Sequence, residues 1–191
     1  MGGIMSKTLK KEAIEFKQLV LNKEEYRIGD TIRVFEQNDD TSFAEIVKIW
    51  RNPKKADAFA RIKWFFKPKD VFGRIPEFVS NAELMKSDLE QDISVQSIYG
   101  KIEVLSISDY HAKDEVDSDV FFTRSFFDSK TKMIRPQLSH WKRICVCESI
   151  LNPDHLYISC DKCLKLFHPK CVNYEDCDFW TCEKCYKELL E

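Results

Sequence analysis

The sequence predicts a mainly β protein: a partly closed barrel or sandwich with short helical turns, followed by a small cysteine-rich module. Three observations predict it. Between residues 14 and 136, seven or so short segments alternate apolar and polar residues and are separated by polar turns. The 191 residues are 43% hydrophobic and 32% charged, and 14 Phe supply ample core for one medium domain and a small one. From Cys145 to Cys185, seven cysteines and one histidine fall into close pairs.

Taken in order, residues 1–13 read as a polar, frayed start. Gly2 and Ser6 fit the short myristoylation pattern, but no apolar stretch of signal-peptide length follows. Ile14 to Leu21, a turn at Asn22-Lys23 and a second strand at Thr31 to Phe35 suggest a β-hairpin. Gln37 to Ser42 is a polar turn, Phe43 to Trp50 the next strand, and Asn52-Pro53 its breaker. Arg61 to Lys67 is a further strand, with Ile62, Trp64 and Phe66 on one face and Lys63 and Phe65 on the other. Val71 to Ser80, with Gly73 and Pro76, reads as a loop, and Asn81 as the cap of a helical turn through Met85. Val95 to Ile107 reads as one or two strands bending at Gly100-Lys101, and Asp109 to Asp119 as a charged turn. Phe121 to Phe127 is the last strand, with Phe122, Arg124 and Phe126 sharing a face. No run approaches the eighteen or so apolar residues that span a bilayer.

The C-terminal series reads Cys145-x-Cys147, twelve residues, Cys160-x2-Cys163, four residues, His168-x2-Cys171, ten residues, Cys182-x2-Cys185. Thiolates and a neutral imidazole are ligands suited to Zn²⁺, four to a structural site, so eight imply two ions. An even cysteine count also invites a disulfide framework, but a histidine inside the series and the absent secretory signal speak against it. Cys177 is left over as a free thiol.

The one-residue first gap, the histidine in fifth place and Trp180 two residues before Cys182 make this series resemble the PHD finger. The resemblance implies a cross-braced fold. Cys145, Cys147, His168 and Cys171 would hold one zinc, and Cys160, Cys163, Cys182 and Cys185 the other. A RING ubiquitin ligase also cross-braces two zincs, but RING fingers usually begin Cys-x2-Cys and place His fourth.

Upstream, Tyr26-Arg27-Ile28-Gly29-Asp30-Thr31-Ile32, Glu45 to Trp50 and Trp64-Phe65-Phe66-Lys67-Pro68 resemble successive strands of a BAH domain. Glu83 to Asp88, Gly100 to Val104 and Phe121 to Arg124 match its later blocks. This divides the chain into a BAH domain at 14–136, a stiff linker at 137–143, a PHD finger at 144–187 and an end at 188–191, with His140 and Trp141 packing between the modules. A BAH domain followed directly by a PHD finger resembles small plant chromatin readers of the EBS and SHL type. It implies a nuclear protein whose partners are histone tails, most of all histone H3, the nucleosome and subunits of chromatin-regulatory complexes.

Two candidate recognition sites follow from these resemblances. Trp64 and Phe66, two apart on one strand face, would form part of a methyl-lysine cage, in which aromatic faces attract a cation. Ser42 or Phe43 falls at the place of a third wall, and both rings could instead be barrel core. In the finger, Leu151 and Leu166 stand where fingers reading trimethyl-lysine have aromatic rings, leaving Tyr157 as the aromatic at a familiar cage position. Leu156, Tyr157, Ile158 and Ser159 would form the edge on which a tail adds as a strand. Asp154 and Asp161 could receive its cationic side chains, or merely solvate the zinc loops.

Charge supports this direction. The whole chain is −2, but residues 145–191 carry five Lys against nine acidic residues, which suits a basic peptide better than a phosphate backbone. No sequence-specific DNA binding and no membrane association are expected. The histidines show no triad spacing, and with only five Gly there is no phosphate-binding loop, so no enzyme is expected. The alternatives are a RING-like zinc-dependent ligase and an adaptor for non-histone proteins.

Overall fold

The computed structural model describes residues 13–35, 41–53, 57–113 and 115–190. The readings for residues 1–12 and most of the Gln37 to Ser42 turn lie outside them. The protein is mainly β with a few short helices, and its contacts divide it into two compact units. One is built from the chain up to Phe66 with Lys86–Val104, the other from Lys67–Met85 with Leu105–Glu191.

In the first unit, β1 (Ile14–Phe16), β2 (Gln18–Leu21) and β3 (Glu24–Arg27) open the chain. The hairpin exists, but its second strand is β3 and not Thr31–Phe35. Asn22 and Lys23 both take positive φ, 52° and 70°, the two-residue turn whose twist matches the strands beside it. Gly29, at φ 94°, then turns the chain away, with its N–H on Ile46 O at 2.7 Å. That conformation favours glycine. The chain re-enters as β4 (Thr31–Phe35), which pairs with β5 (Thr41–Arg51).

β5 is the spine of the sheet. It pairs with β4 over its first half, with β6 (Ala58–Phe65) from Phe43 to its end, and with β1 near its end. Its register against β6 slips between Ile46 and Lys48, which bends the strand and lets both ends find partners. β6 is longer at its start and shorter at its end than Arg61 to Lys67, because Pro68 has no N–H to continue a ladder.

After β7 (Lys86–Ser87), β8 (Glu90–Ser94) pairs with β6, and β9 (Ile98–Lys101) pairs with β4. The sheet order is β8-β6-β5-β4-β9, with β1 beside β5. β8 escapes sequence reading because Glu90-Gln91-Asp92 carries no apolar alternation. Ile32, Val34, Ala44, Ile46, Ile49, Ala60, Ile62, Ile93 and Ile98 fill the core, and Trp64 packs against it half-buried.

In the second unit, α1 (Pro68–Phe72) replaces the start of the expected loop. Pro68 at its first turn and the Lys67 N–H on the Asp70 carboxylate at 3.1 Å explain why it forms. Gly73, at φ 75°, ends it. The expected helical turn at Asn81 is instead an extended crossing: Phe122 N–H donates to Ala82 O at 3.1 Å and Leu84 N–H to Phe122 O at 2.8 Å.

Farther on, β10 (Glu103–Ser106) is followed by α2 (Ile107–His111), capped by Ser106 Oγ on Asp109 N–H, where a turn was expected. The last expected strand is two: β11 (Val120–Thr123) and β12 (Phe126–Asp128), broken at Arg124-Ser125. The break shifts the alternation, so Phe122 and Phe127 are buried, not Phe122 and Phe126. β13 (Met133–Arg135) pairs with β12.

The break exists to serve Arg124. Its guanidinium binds Glu83 with two bonds, Nε to Oε1 at 2.9 Å and Nη2 to Oε2 at 2.7 Å. It also donates to the carbonyls of Phe78 and Leu151 and lies 4.1 Å from the Trp141 ring centroid. Glu83 is fully buried, and burial pushes its carboxyl above the ordinary value although Arg124 pulls the other way. Burial outweighing the partner is typical of ion pairs that fix geometry more than they add stability. Trp141 is buried, with Nε1 on Pro136 O at 3.0 Å, whereas the expected companion His140 is exposed. No helix of the described residues is long and apolar enough to cross a membrane.

Arg124→Met, which strands Glu83 without a partner, is expected to lower unfolding free energy by about 3–5 kcal/mol, and the double variant Arg124→Met with Glu83→Leu by less. Denaturant unfolding of the four corners of this cycle measures it.

Candidate functional site

The finger begins with β14 (Arg143–Ile144) against β15 (Ser149–Ile150) and continues as β16 (Ile158–Ser159) against β17 (Leu166–Phe167). It ends with α3 (Glu183–Leu190). These elements are too small to enclose much core. Around the sulfurs pack Phe167, Ile158, Val172 and Trp180, the last edge-on to Phe167 with ring centroids 5.4 Å apart.

Two four-ligand clusters form. Cys145, Cys147, His168 and Cys171 converge on one point and Cys160, Cys163, Cys182 and Cys185 on another, the donor atoms of each lying within 4.8 Å of one another. Chain order is therefore interleaved, first pair with third and second with fourth, as the resemblance implied. His168 turns Nδ1 inward, 3.4 Å from Cys147 Sγ and 3.8 Å from Cys171 Sγ. Cys163 and Cys182 sulfurs are 3.9 Å apart. A tetrahedron of sulfurs about 2.3 Å from an ion has edges of roughly 3.8 Å, so the spacing fits.

The donor chemistry fits as well. Four sulfurs in one place cannot all ionise without a cation between them. Burial, then the neighbouring thiols of Cys163, Cys182 and Cys160, push the Cys185 thiol up to about 12. Burial and the thiols of Cys145 and Cys147 push Cys171 up to about 11. Cys160 moves down to about 6: burial opposes ionisation, but the N–H groups of Cys182, Cys163 and Lys162 turned toward its sulfur prevail. In the other cluster Cys147 also falls to about 6, through the hydroxyl and N–H of Ser149. Each set of four thus suits a divalent ion of the Zn²⁺ kind, which would take the place of the protons.

The remaining candidates are placed as follows. β16 forms the expected edge over Ile158 and Ser159, and its ladder partner among the described residues is β17 alone. The far side of β17 is occupied, since Cys145 N–H donates to Leu166 O at 3.0 Å. Leu156 is highly exposed. Tyr157 is tied down: its hydroxyl donates to Asn152 O at 2.9 Å and accepts from Asn152 N–H at 3.1 Å, while its ring lies 5.0 Å from that of His168. Asp154 accepts the Ser80 hydroxyl at 2.7 Å, and Asp161 accepts the Trp180 N–H at 2.7 Å. Both acidic candidates therefore have a structural task.

In the sheet of the first unit, Trp64 stands opposite Ala44 and Phe43 opposite Phe65. Residues directly opposite share a face, so Phe43 points away from Trp64 and is buried, and Ser42 lies on the Trp64 side. Trp64 Nε1 donates to Gln91 Oε1 at 3.0 Å, and Phe66, just past the strand, is half-buried. The register puts Ser42 on the Trp64 side and leaves Phe43 out, and Phe66 lies beyond the paired residues.

Sequence reasoning missed the seat of the finger. Asn152 Nδ2 donates to Glu77 O at 2.8 Å, beside the Ser80 to Asp154 bond and the Arg124 bond to Leu151 O. The available signal was one arginine inside the phenylalanine-rich stretch Phe121 to Phe127.

Comparison with known proteins agrees with this architecture. The pattern of the BAH domain matches residues 24–136. The chain is 30% identical over 186 residues to the chromatin remodeling protein SHL of Arabidopsis thaliana, covering 94% of this chain and 80% of that one. To the chromatin remodeling protein EBS of the same plant it is 27% identical over 140 residues, covering 69% of this chain and 59% of EBS. Among solved structures, the yeast Rsc2 BAH domain shares the fold with a TM-score of 0.50 at 19% identity, over 63% of this chain and 52% of that one. The chain belongs to the BAH domain family. Its C-terminal region adds the paired Cys/His clusters of a PHD-like finger.

Titration of the metal-free chain with Zn²⁺ is expected to saturate at two ions and to release protons at neutral pH, because thiols such as Cys171 and Cys185 must give theirs up. The same linkage means that acid expels the metal. Chelation should remove on the order of 10 kcal/mol of folding free energy per site and unfold residues 143–190. A pH-stat titration and circular dichroism read both effects.

Proposed function

We propose that this chain is a nuclear chromatin reader that binds two zinc ions in its finger and takes histone tails as ligands. The finger engages the N-terminal tail of histone H3 by strand addition along residues 156–159. The observation that carries this reading is the free side of β16, a short strand with one ladder partner among the described residues, held between two metal clusters. An added strand gains main-chain hydrogen bonds there without displacing anything. The acidic balance of residues 145–191 favours a basic peptide. The chromatin-protein relatives lend further support.

On the BAH sheet, Trp64 with Phe66 receives a methylated lysine. The half-exposure of Trp64 supports this, and the side chain at the third wall is then Ser42, on the Trp64 side of the sheet. A cage of two rings holds its cation more weakly than one of three, at about 0.5–2 kcal/mol per face.

Calorimetric titration of the zinc-loaded chain with H3 tail peptides differing only in lysine methylation tests both parts. Binding by the unmodified N-terminal peptide is expected through the finger, and a methylation-dependent gain is expected to fall about tenfold in Trp64→Ala with its fold intact. Absence of binding to every histone peptide would sink the reading.

A further inference from the structure

Beside the β16–β17 sheet lies a cavity of about 350 Å³, built entirely from the second unit. Leu166, opposite Ser159 in the ladder, and Leu151, before the Asn152 seat, form its wall on the finger side. Besides Arg124 and Trp141, whose indole N–H is bound to Pro136 O, four side chains with N–H or O–H groups line it: Ser108 and His111 from α2, and His140 and Lys142 from the segment leading into the finger. All four are exposed. No carboxylate of the described residues lines the cavity. Arg124 also borders it, but that guanidinium is committed to Glu83 and to main-chain carbonyls and supplies no free charge.

This composition is the reverse of what a lysine ammonium needs. A methylated lysine would meet Lys142 and two imidazoles, with leucines at Leu151 and Leu166 rather than aromatic faces. We infer that the cavity binds a phosphate monoester, carried by a phosphorylated serine or threonine of the tail peptide that lies along β16. A phosphate brings three acceptor oxygens and close to two negative charges, matching a lysine, two imidazoles and a hydroxyl. The volume is at the small end for ligand sites, right for one compact group. A nucleic-acid backbone fits less well, because residues 145–191 are net negative and would repel a polyanion while admitting one phosphate on a basic peptide.

This inference rests on the reader assignment for its peptide, but the cavity can be tested alone. The first arm adds inorganic phosphate to the zinc-loaded chain and follows the imidazole resonances of His111 and His140 by NMR. Saturable shifts in the wild type, lost in Lys142→Ala with two zincs retained, are expected; their absence overturns the site. The second arm titrates H3 tail peptides, unmodified and phosphorylated at single Ser or Thr positions. One phosphopeptide is expected to bind about tenfold more tightly than its unmodified form, with the gain falling below about twofold in Lys142→Ala or His140→Ala while the unmodified peptide is unaffected. No gain at any position, or a gain untouched by both variants, overturns the peptide assignment. So does displacement of the phosphate from the wild type by a short DNA duplex but by no phosphopeptide, which would make the ligand nucleic acid. Failure of the unmodified peptide to bind, with the imidazole shifts intact, defeats the reader assignment and leaves the anion site standing.

Discussion

One guanidinium organises the second unit. Arg124 joins the buried Glu83 carboxylate, the carbonyls of Phe78 and Leu151 and the face of Trp141, so three stretches of chain, at 78–83, 141 and 151, share one side chain. None of them could take an apolar residue there without leaving carbonyls or a carboxylate buried and unpaired. The raised carboxyl of Glu83 shows that the enclosure is costly for charge. What the pair supplies is placement: the planar fork of arginine fixes distances and angles that a hydrophobic contact would leave loose.

Metal ligation is the second constraint, and it governs a backbone that would otherwise resist its shape. Cys145, Glu148 and Leu164 take positive φ, at 62°, 52° and 57°. No glycine occurs after Gly100, so these left-handed turns are made by residues with a Cβ, each at a cost on the order of 1 kcal/mol. They lie at the tight turns that aim paired sulfurs inward. Binding energy gathered at the clusters offsets this local strain, which is why a module with so little apolar core can hold a defined edge strand.

The sequence made the ligand set legible because coordination demands residue types at spacings that chance seldom supplies, and it did so down to the pairing through the family resemblance. Strand identity was legible where apolar alternation was present, as at Ile32 and Val34. It failed at β8, whose polar Glu90-Gln91-Asp92 is recruited by an unfilled sheet edge, a tertiary effect with no local trace. The reading of Phe121 to Phe127 as one strand failed for a related reason: alternation was present, but Arg124 had a distant appointment with Glu83 that broke the ladder. On the Trp64 face the choice between Ser42 and Phe43 was a matter of register, since a one-residue step turns a side chain to the opposite face. The pairing of Phe43 with Phe65 puts Ser42, and not Phe43, on the Trp64 face.

The seat of the finger bears on how such proteins can be taken apart and recombined. Asn152 and Asp154 lie inside the finger by sequence, yet their polar groups are completed by Glu77 and Ser80. A shuffling event that cut the gene near residue 143 would carry away a finger with its two Cys/His clusters whole and its Asn152 amide orphaned, and would leave behind Arg124 missing the Leu151 carbonyl. Neither piece is a self-sufficient cassette. Inheritance of the two modules as a single block, with substitution of Ser80 answering substitution of Asp154, is the evolutionary signature that this geometry imposes.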